Sequence, residues 1–265
     1  MQTWNNVRSH ILDMRTTLTV ITPEGGETSM GVRPQPGNDA SETPVRPRKP
    51  GLLILLHGLT GNNAQWPTYT NLQTYADKHN LVIALPDGQR SFWINQAVGM
   101  KWGEWIGCEL PALLRSTLRI SRHRDDTYVG GLSMGGYGAI RAAFDYPKIF
   151  GGAFSLSGTL DVAEEAFRGR HPDLYAVGFG DSVSPRAEDD LLGRLESMRE
   201  GEAPKPTATF FTCCGEGDRL FGQNLRFIEA AEAAGLDLTS ASGPGVHNFR
   251  FWNDWLPIAL ETVVR

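Results

Sequence analysis

The tightest constraint on this chain lies at residues 127–146. Residues 127–132 form an apolar, strand-forming run, and residues 134–146 are Ala-rich and spaced like a helix. Across their junction runs Gly130-Gly131-Leu132-Ser133-Met134-Gly135-Gly136. Glycine at so many positions lets main chain pack against main chain and lets a strand turn sharply into a helix. A strand that feeds a helix this way is half of a β-α-β unit, so parallel neighbouring strands are expected.

The remainder of the chain repeats the alternation. Residues 51–57, Gly-Leu-Leu-Ile-Leu-Leu-His, and 81–85, Leu-Val-Ile-Ala-Leu, are continuous apolar runs. Such runs suit central strands buried on both faces. Residues 15–22 alternate and favour a strand, and further strands are expected at 152–157, 207–213 and 236–240. Helices are expected at 67–79, 104–120, 220–234 and 249–264. The pattern predicts one α/β domain over residues 1–265, with a mostly parallel central sheet and helices on both faces.

Two stretches break the rhythm. Residues 23–50 are crowded with Gly and Pro and read as a long surface loop. Residues 159–206 are polar, helical in patches at 163–168 and 189–199, and broken by Pro172, Pro185, Pro204 and Pro206. A small cap-like insertion over a site is expected there.

Composition excludes several classes. The formal net charge is −5 and no run of Lys and Arg exists, so a nucleic-acid partner is not expected. Apolar runs such as Leu52–Leu56 are far too short to cross a bilayer. Cys108, Cys213 and Cys214 cannot build a disulfide framework, and Met1–His10 lacks a signal-peptide core. A cytoplasmic protein is the expectation, with a homo-oligomer left open. No His-Glu-x-x-His or Gly-x-Gly-x-x-Gly spacing occurs, so no metal or cofactor is expected.

The same glycine-rich turn carries chemistry. Gly131-Leu132-Ser133-Met134-Gly135 is a Gly-x-Ser-x-Gly at a strand-to-helix junction, which lifts a serine hydroxyl clear of its backbone. A serine hydroxyl is a poor nucleophile at neutral pH. It needs a base in hydrogen-bond reach, and the base needs a carboxylate to fix its tautomer. In this type of fold the order is serine, acid, histidine. His171 and His247 follow Ser133, and His247 sits in the glycine-rich loop 243–249, between the last strand and the last helix. His247 is therefore the candidate base. Asp218 follows the strand expected at 207–213 and is the candidate acid, with Glu216, Asp237 and the pair Asp189-Asp190 as competitors. The tetrahedral oxyanion needs two fixed donors. The amides of Met134 and Leu59 are the candidates, because Gly58 lets the backbone turn after the strand that ends at His57. His57 precedes the serine and is assigned an orienting role at the substrate. Trp93 and Trp102 are candidates for a pocket wall, although core packing would equally explain them.

Taken together, the strand leading to His57-Gly58, Gly-Leu-Ser-Met-Gly-Gly, Cys-Gly-x-Gly-Asp and His-x-Phe-x-x-Trp resemble the esterase family of α/β hydrolases. That family includes tributyrin esterases, S-formylglutathione hydrolases, feruloyl esterases and mycolyltransferases. The resemblance implies a serine carboxylesterase acting on a small-molecule ester through an acyl-enzyme. It assigns Ser133 as nucleophile, Asp218 as acid, His247 as base, and Leu59 and Met134 as oxyanion donors. Two departures stand out. No cysteine follows His57, unlike the His-Gly-x-Thr-Cys of formylglutathione hydrolases, and tryptophans occupy a loop that carries tyrosines in the family. Tributyrin esterase-like members match best, so short-chain acyl esters are the expected substrates. The alternatives are an acyltransferase, a feruloyl or S-formylglutathione-type hydrolase, and a non-catalytic binding protein on the same fold.

Overall fold

The computed structural model describes residues 1–24, 48–180 and 184–265. Most of the loop expected at 23–50, and residues 181–183 of the expected insertion, lie outside the described residues. The strands are β1 (Gln2–Ser9), β2 (Met14–Ile21), β3 (Gly51–Leu56), β4 (Leu81–Pro86), β5 (Thr127–Leu132), β6 (Gly152–Leu156), β7 (Thr209–Gly215) and β8 (Leu238–Gly243). They form one sheet in the order β1-β2-β4-β3-β5-β6-β7-β8. From β4 to β8 every pairing is parallel, while β1 and β2 add antiparallel strands at one edge.

The helices are α1 (Gln65–Tyr69), α2 (Leu72–His79), α3 (Trp102–Glu104), α4 (Leu110–Thr117), α5 (Met134–Asp145), α6 (Glu165–Arg170), α7 (Pro172–Phe179), α8 (Leu191–Arg199), α9 (Phe221–Ala233) and α10 (Phe249–Val263). Alternate residues of each central strand feed opposite layers. Leu52, Ile54 and Leu56 pack with α3, α4, α5, α8 and α9. Leu53 and Leu55 pack with α1, α2 and α10. That two-sided burial is why β3 and β4 read as unbroken apolar runs.

Several sequence expectations shift, each for a local reason. The helix expected at 67–79 is two helices, because Thr70 is extended and its hydroxyl donates to Asn253 Oδ1 at 2.6 Å. The helix expected at 104–120 is α3 and α4 joined by a π-helical turn, Trp105–Glu109. Pro111, in the first turn of α4, has no N–H to continue the regular ladder through that turn. Strand β1 was not expected at all. It is a largely exposed edge strand with a bulge between Trp4 and Val7, and Asn6 there has φ 61°. Its polar residues give no buried stripe to read.

The chain passes from β3 outward to β4, then returns to β5 on the other side of β3. The carboxyl ends of β3 and β5 therefore diverge into a crevice, the usual place for a site in such sheets.

Candidate active site

Ser133 is the residue between β5 and α5, and its φ of 55° and ψ of −118° lie outside the regions comfortable for a side chain. Its neighbours hold it there. A Cβ on Gly131 would sit 2.6 Å from the Gly135 carbonyl, and one on Gly135 would sit 2.4 Å from Leu56 O. Larger residues at either position would push the turn off β3. The Ser133 amide donates to Leu156 O at 3.0 Å, and its carbonyl accepts from Tyr137 N and Thr159 N.

His247 lies in the loop between β8 and α10. Its Nε2 is 2.9 Å from Ser133 Oγ and its Nδ1 is 2.7 Å from Asp218 Oδ2. Asp218 offers only acceptors when ionised, so Nδ1 carries the proton and Nε2 presents a lone pair to the serine hydroxyl. Two features fix the loop. The Gly217 amide donates to Gly245 O at 2.9 Å, and Asn248 caps α10 by accepting from Phe251 N. The Trp252 indole stands edge-on to the imidazole, 5.0 Å between centroids. Trp252 is the tryptophan of the His-x-Phe-x-x-Trp motif, five residues past His247.

Asp218 follows β7 through a turn closed by its amide on Gly215 O. It is buried, and Oδ1 accepts from Leu220 N at 3.0 Å. Burial alone would lift its proton affinity. The bonds from His247 and the Leu220 amide overcome that and hold the carboxyl below the ordinary range. The competitors are occupied elsewhere: Glu216 is exposed, Asp237 accepts from Thr209, Asp190 caps α8 and Asp189 pairs with Arg141. His171 heads α7, with its ring against Phe167.

The turn after β3 abuts the serine. A Cβ on Gly58 would lie 3.5 Å from Ser133 Cβ. Gln65 Oε1 accepts the Gly58 amide, and Gly61 N closes the turn on Gly58 O. Leu59 follows Gly58 in this braced turn, and Met134 opens α5 directly after the serine. The Ser133–His247–Asp218 arrangement can take a proton from the serine hydroxyl.

Three expected substrate contacts require correction. His57 is 1% exposed. Its Nε2 accepts from Gly88 N at 3.0 Å, so Nδ1 carries the proton and donates to Gly58 O at 2.7 Å. It ties the ends of β3 and β4 together beneath the turn and does not reach substrate. Trp93 is 0% exposed, packs against Gly88 and Gly138, and donates its indole N–H to His57 O. Trp102 is likewise buried in the core on the α5 side of the sheet. Both indoles are walls of the core and not of a pocket. Cys213 and Cys214 are buried. A cleft of about 750 Å³ opens on the outer side of the histidine loop, lined by Glu216, Pro244, Val246 and Arg250 among others, and Ser133 is not part of its wall. Among the described residues, no helix is long and apolar enough to cross a membrane.

Comparison with known proteins fits this architecture. The acetyl esterase of Caldicellulosiruptor saccharolyticus is 30% identical over 220 residues, covering 79% of this chain and 81% of that protein. The structure of FphF, a fluorophosphonate-binding serine hydrolase of Staphylococcus aureus, superposes with a TM-score of 0.80 at 26% identity, covering 100% and 98% of the two chains. The S-formylglutathione hydrolase FrmB of the same organism shares the fold, with a TM-score of 0.75 at 24% identity over 100% and 98% of the chains. The fold is that of the α/β hydrolases. With the Esterase family model matching residues 43–260, this chain belongs to the Esterase family of those hydrolases.

Proposed function

We propose that this protein is a serine carboxylesterase that hydrolyses short-chain acyl esters through an acyl-enzyme. The observation that carries the proposal is a single imidazole bridging 2.9 Å to Ser133 Oγ and 2.7 Å to the Asp218 carboxylate. Ser133 Oγ attacks the ester carbonyl carbon while His247 Nε2 takes the hydroxyl proton. The carbonyl π electrons move onto oxygen, where the Leu59 and Met134 amides donate to the oxyanion. Collapse breaks the bond to the alcohol oxygen, which leaves with the proton from His247. Water then attacks the acyl-serine, gives a proton to His247, and the acid leaves as Ser133 regains its hydrogen. Asp218 stays ionised throughout and stabilises the imidazolium. The coupling is reciprocal, because the same bond keeps the carboxylate charged despite its burial.

The helices of the 159–206 insertion support the preference for short chains. α6, α7 and α8 span 6, 8 and 9 residues, too short for a long apolar lid. Arg226 on α9 clamps the start of the insertion through Asp161 at 2.7 Å and Glu164 at 2.9 Å. Initial rates with p-nitrophenyl esters from acetate to palmitate test this reading. Acetate or butyrate is expected to be fastest, and a maximum at palmitate overturns the chain-length assignment. Adding an acceptor alcohol to the same assay separates hydrolysis from transfer: free acid is expected to remain the main product.

A further inference from the structure

Gly58 lies two residues past β3, where a Cβ would come within 3.5 Å of Ser133 Cβ. Both polar groups of its main chain are claimed. Its carbonyl accepts from His57 Nδ1 at 2.7 Å and from the Gly61 amide at 3.0 Å. Its amide donates to Gln65 Oε1 at 3.1 Å. In a trans peptide the N–H points opposite to the C=O. The Leu59 N–H therefore faces away from His57 and from the Gly61 amide. Among the described residues, no backbone carbonyl accepts it. The turn thus holds one committed amide, that of Gly58, next to one uncommitted amide, that of Leu59.

Gln65 reaches the turn across Gly61. A Cβ on Gly61 would sit 2.3 Å from Gln65 Oε1 and 2.9 Å from Nε2, so the carboxamide fills the space of an absent side chain. Gly61 has no positive φ, so its backbone alone does not ask for glycine. The helix that carries Gln65 is fixed by other bonds. The Trp66 indole donates to Leu56 O at 3.0 Å, and Gln65 N closes the preceding turn on Asn62 O at 3.1 Å. The half-buried carboxamide of Gln65 is therefore not what anchors α1. Its oxygen is spent on one amide beside the nucleophile, through a gap that a glycine keeps open.

We propose that Gln65 is a positioning residue of the hydrolytic reaction: by binding the Gly58 amide it holds the turn so that the Leu59 N–H, and not the Gly58 N–H, is presented to the oxyanion. The proposal rests on the reading of Leu59 as an oxyanion donor to the intermediate formed at Ser133. Gln65 acts only through the main chain of the turn, opposite the grip of His57 on the Gly58 carbonyl.

Gln65→Met keeps the length of the side chain and removes the acceptor. Its melting temperature is expected within about 2 °C of the parent's, because the site is half-buried on a helix anchored elsewhere. Deleting an oxyanion donor costs about 10²- to 10³-fold, and displacing one costs less. The kcat on p-nitrophenyl acetate is therefore expected to fall about tenfold to hundredfold, with KM within about twofold. A short-chain alkyl trifluoromethyl ketone reads the donor directly. Ser133 Oγ adds to its carbonyl carbon, the hydroxyl proton passes to His247, and the negative charge stays on the former carbonyl oxygen. Its affinity is expected to fall by the same factor as kcat. Gly61→Ala leaves Gln65 in the chain but pushes its carboxamide off the turn, and is expected to lower kcat in the same way. Both changes break one bond, so the double variant is expected to fall no further than the worse single variant. A Gln65→Met enzyme with kcat within twofold of the parent overturns the role. So does a lower kcat with unchanged ketone affinity, and so do losses that multiply in the double variant. A parent enzyme that the ketone does not inhibit sinks the oxyanion reading itself, whereas inhibition of the parent that Gln65→Met leaves unchanged sinks the role of Gln65 alone.

Discussion

Ser133→Ala is expected to lower kcat/KM for a short-chain ester by about 10⁴- to 10⁶-fold, the range seen when the nucleophile of a serine triad is removed. Each tenfold loss is about 1.4 kcal/mol of transition-state stabilisation, so the expected loss is about 5–8 kcal/mol. The residual rate comes from donors and binding surfaces that remain. The fold is expected to be unchanged. Ser133 Oγ bonds His247 and lies at a site only 8% exposed, while the strained turn is held by main-chain bonds to Leu156, Tyr137 and Thr159 that alanine keeps. Steady-state kinetics and a circular dichroism melt check both halves. More than about 1% residual activity with an intact fold contradicts a nucleophilic role for this residue.

The largest expected effect on stability lies away from the serine. Asp189 → Ala is expected to cost about 3 kcal/mol of folding free energy. Asp189 is 0% exposed. Its carboxylate bonds Arg141 Nη1 on α5 and Arg186 Nε, the latter at 2.6 Å. Arg186 in turn donates to Asn95 O at 2.6 Å, and Tyr137 donates to the Asp189 carbonyl at 2.8 Å. The insertion, the loop after β4 and α5, the helix that follows Ser133, are thus joined through one carboxylate. Burial pushes the Asp189 carboxyl above the ordinary carboxylate range, and the Arg141 and Arg186 guanidinium groups offset only part of that cost. Removing the carboxylate alone leaves Arg141 buried and short of a partner. Asp145, 3.1 Å from Arg141 Nε, remains, which places the expected cost at the low end for a broken buried pair. For a chain of this size about 3 kcal/mol is a fall in Tm of about 6–12 °C. Replacing Asp189 and Arg141 together with leucine is expected to recover most of the loss, since the buried guanidinium goes with its partner while Arg186 is partly exposed and keeps Glu188 at 3.5 Å. Urea unfolding of the single and double variants decides the matter: a single variant within 1 kcal/mol of the parent contradicts this account of the network.

The contrast between these two regions shows what a sequence exposes. The turn at Ser133 was legible because its constraint is local. Gly131 and Gly135 must lack side chains where they cross Leu56, and the strand before and helix after are periodic over several residues. His247 and Asp218 were legible through position, since each follows a parallel strand at its carboxyl end, and the three side chains do meet. The Asp189 network was not. Its partners come from 48 residues away on α5 and from the loop after β4, and no periodicity links them. Asp189 appeared only as a competitor for the acid. Trp93 and Trp102 were misread for a related reason. A tryptophan in a loop near a site looks the same whether its ring faces solvent or fills space above a glycine, as Trp93 does over Gly88 and Gly138.

The central claim is that His247 activates the Ser133 hydroxyl. A fluorophosphonate tests it most directly, because it is attacked by an activated serine, loses fluoride and leaves a stable phosphonyl ester. Intact mass and peptide mapping after brief treatment are expected to show one adduct per chain, on Ser133, and to show it forming far more slowly in His247→Ala. A protein that takes no adduct, or takes it on another residue while Ser133 stays free, contradicts the claim.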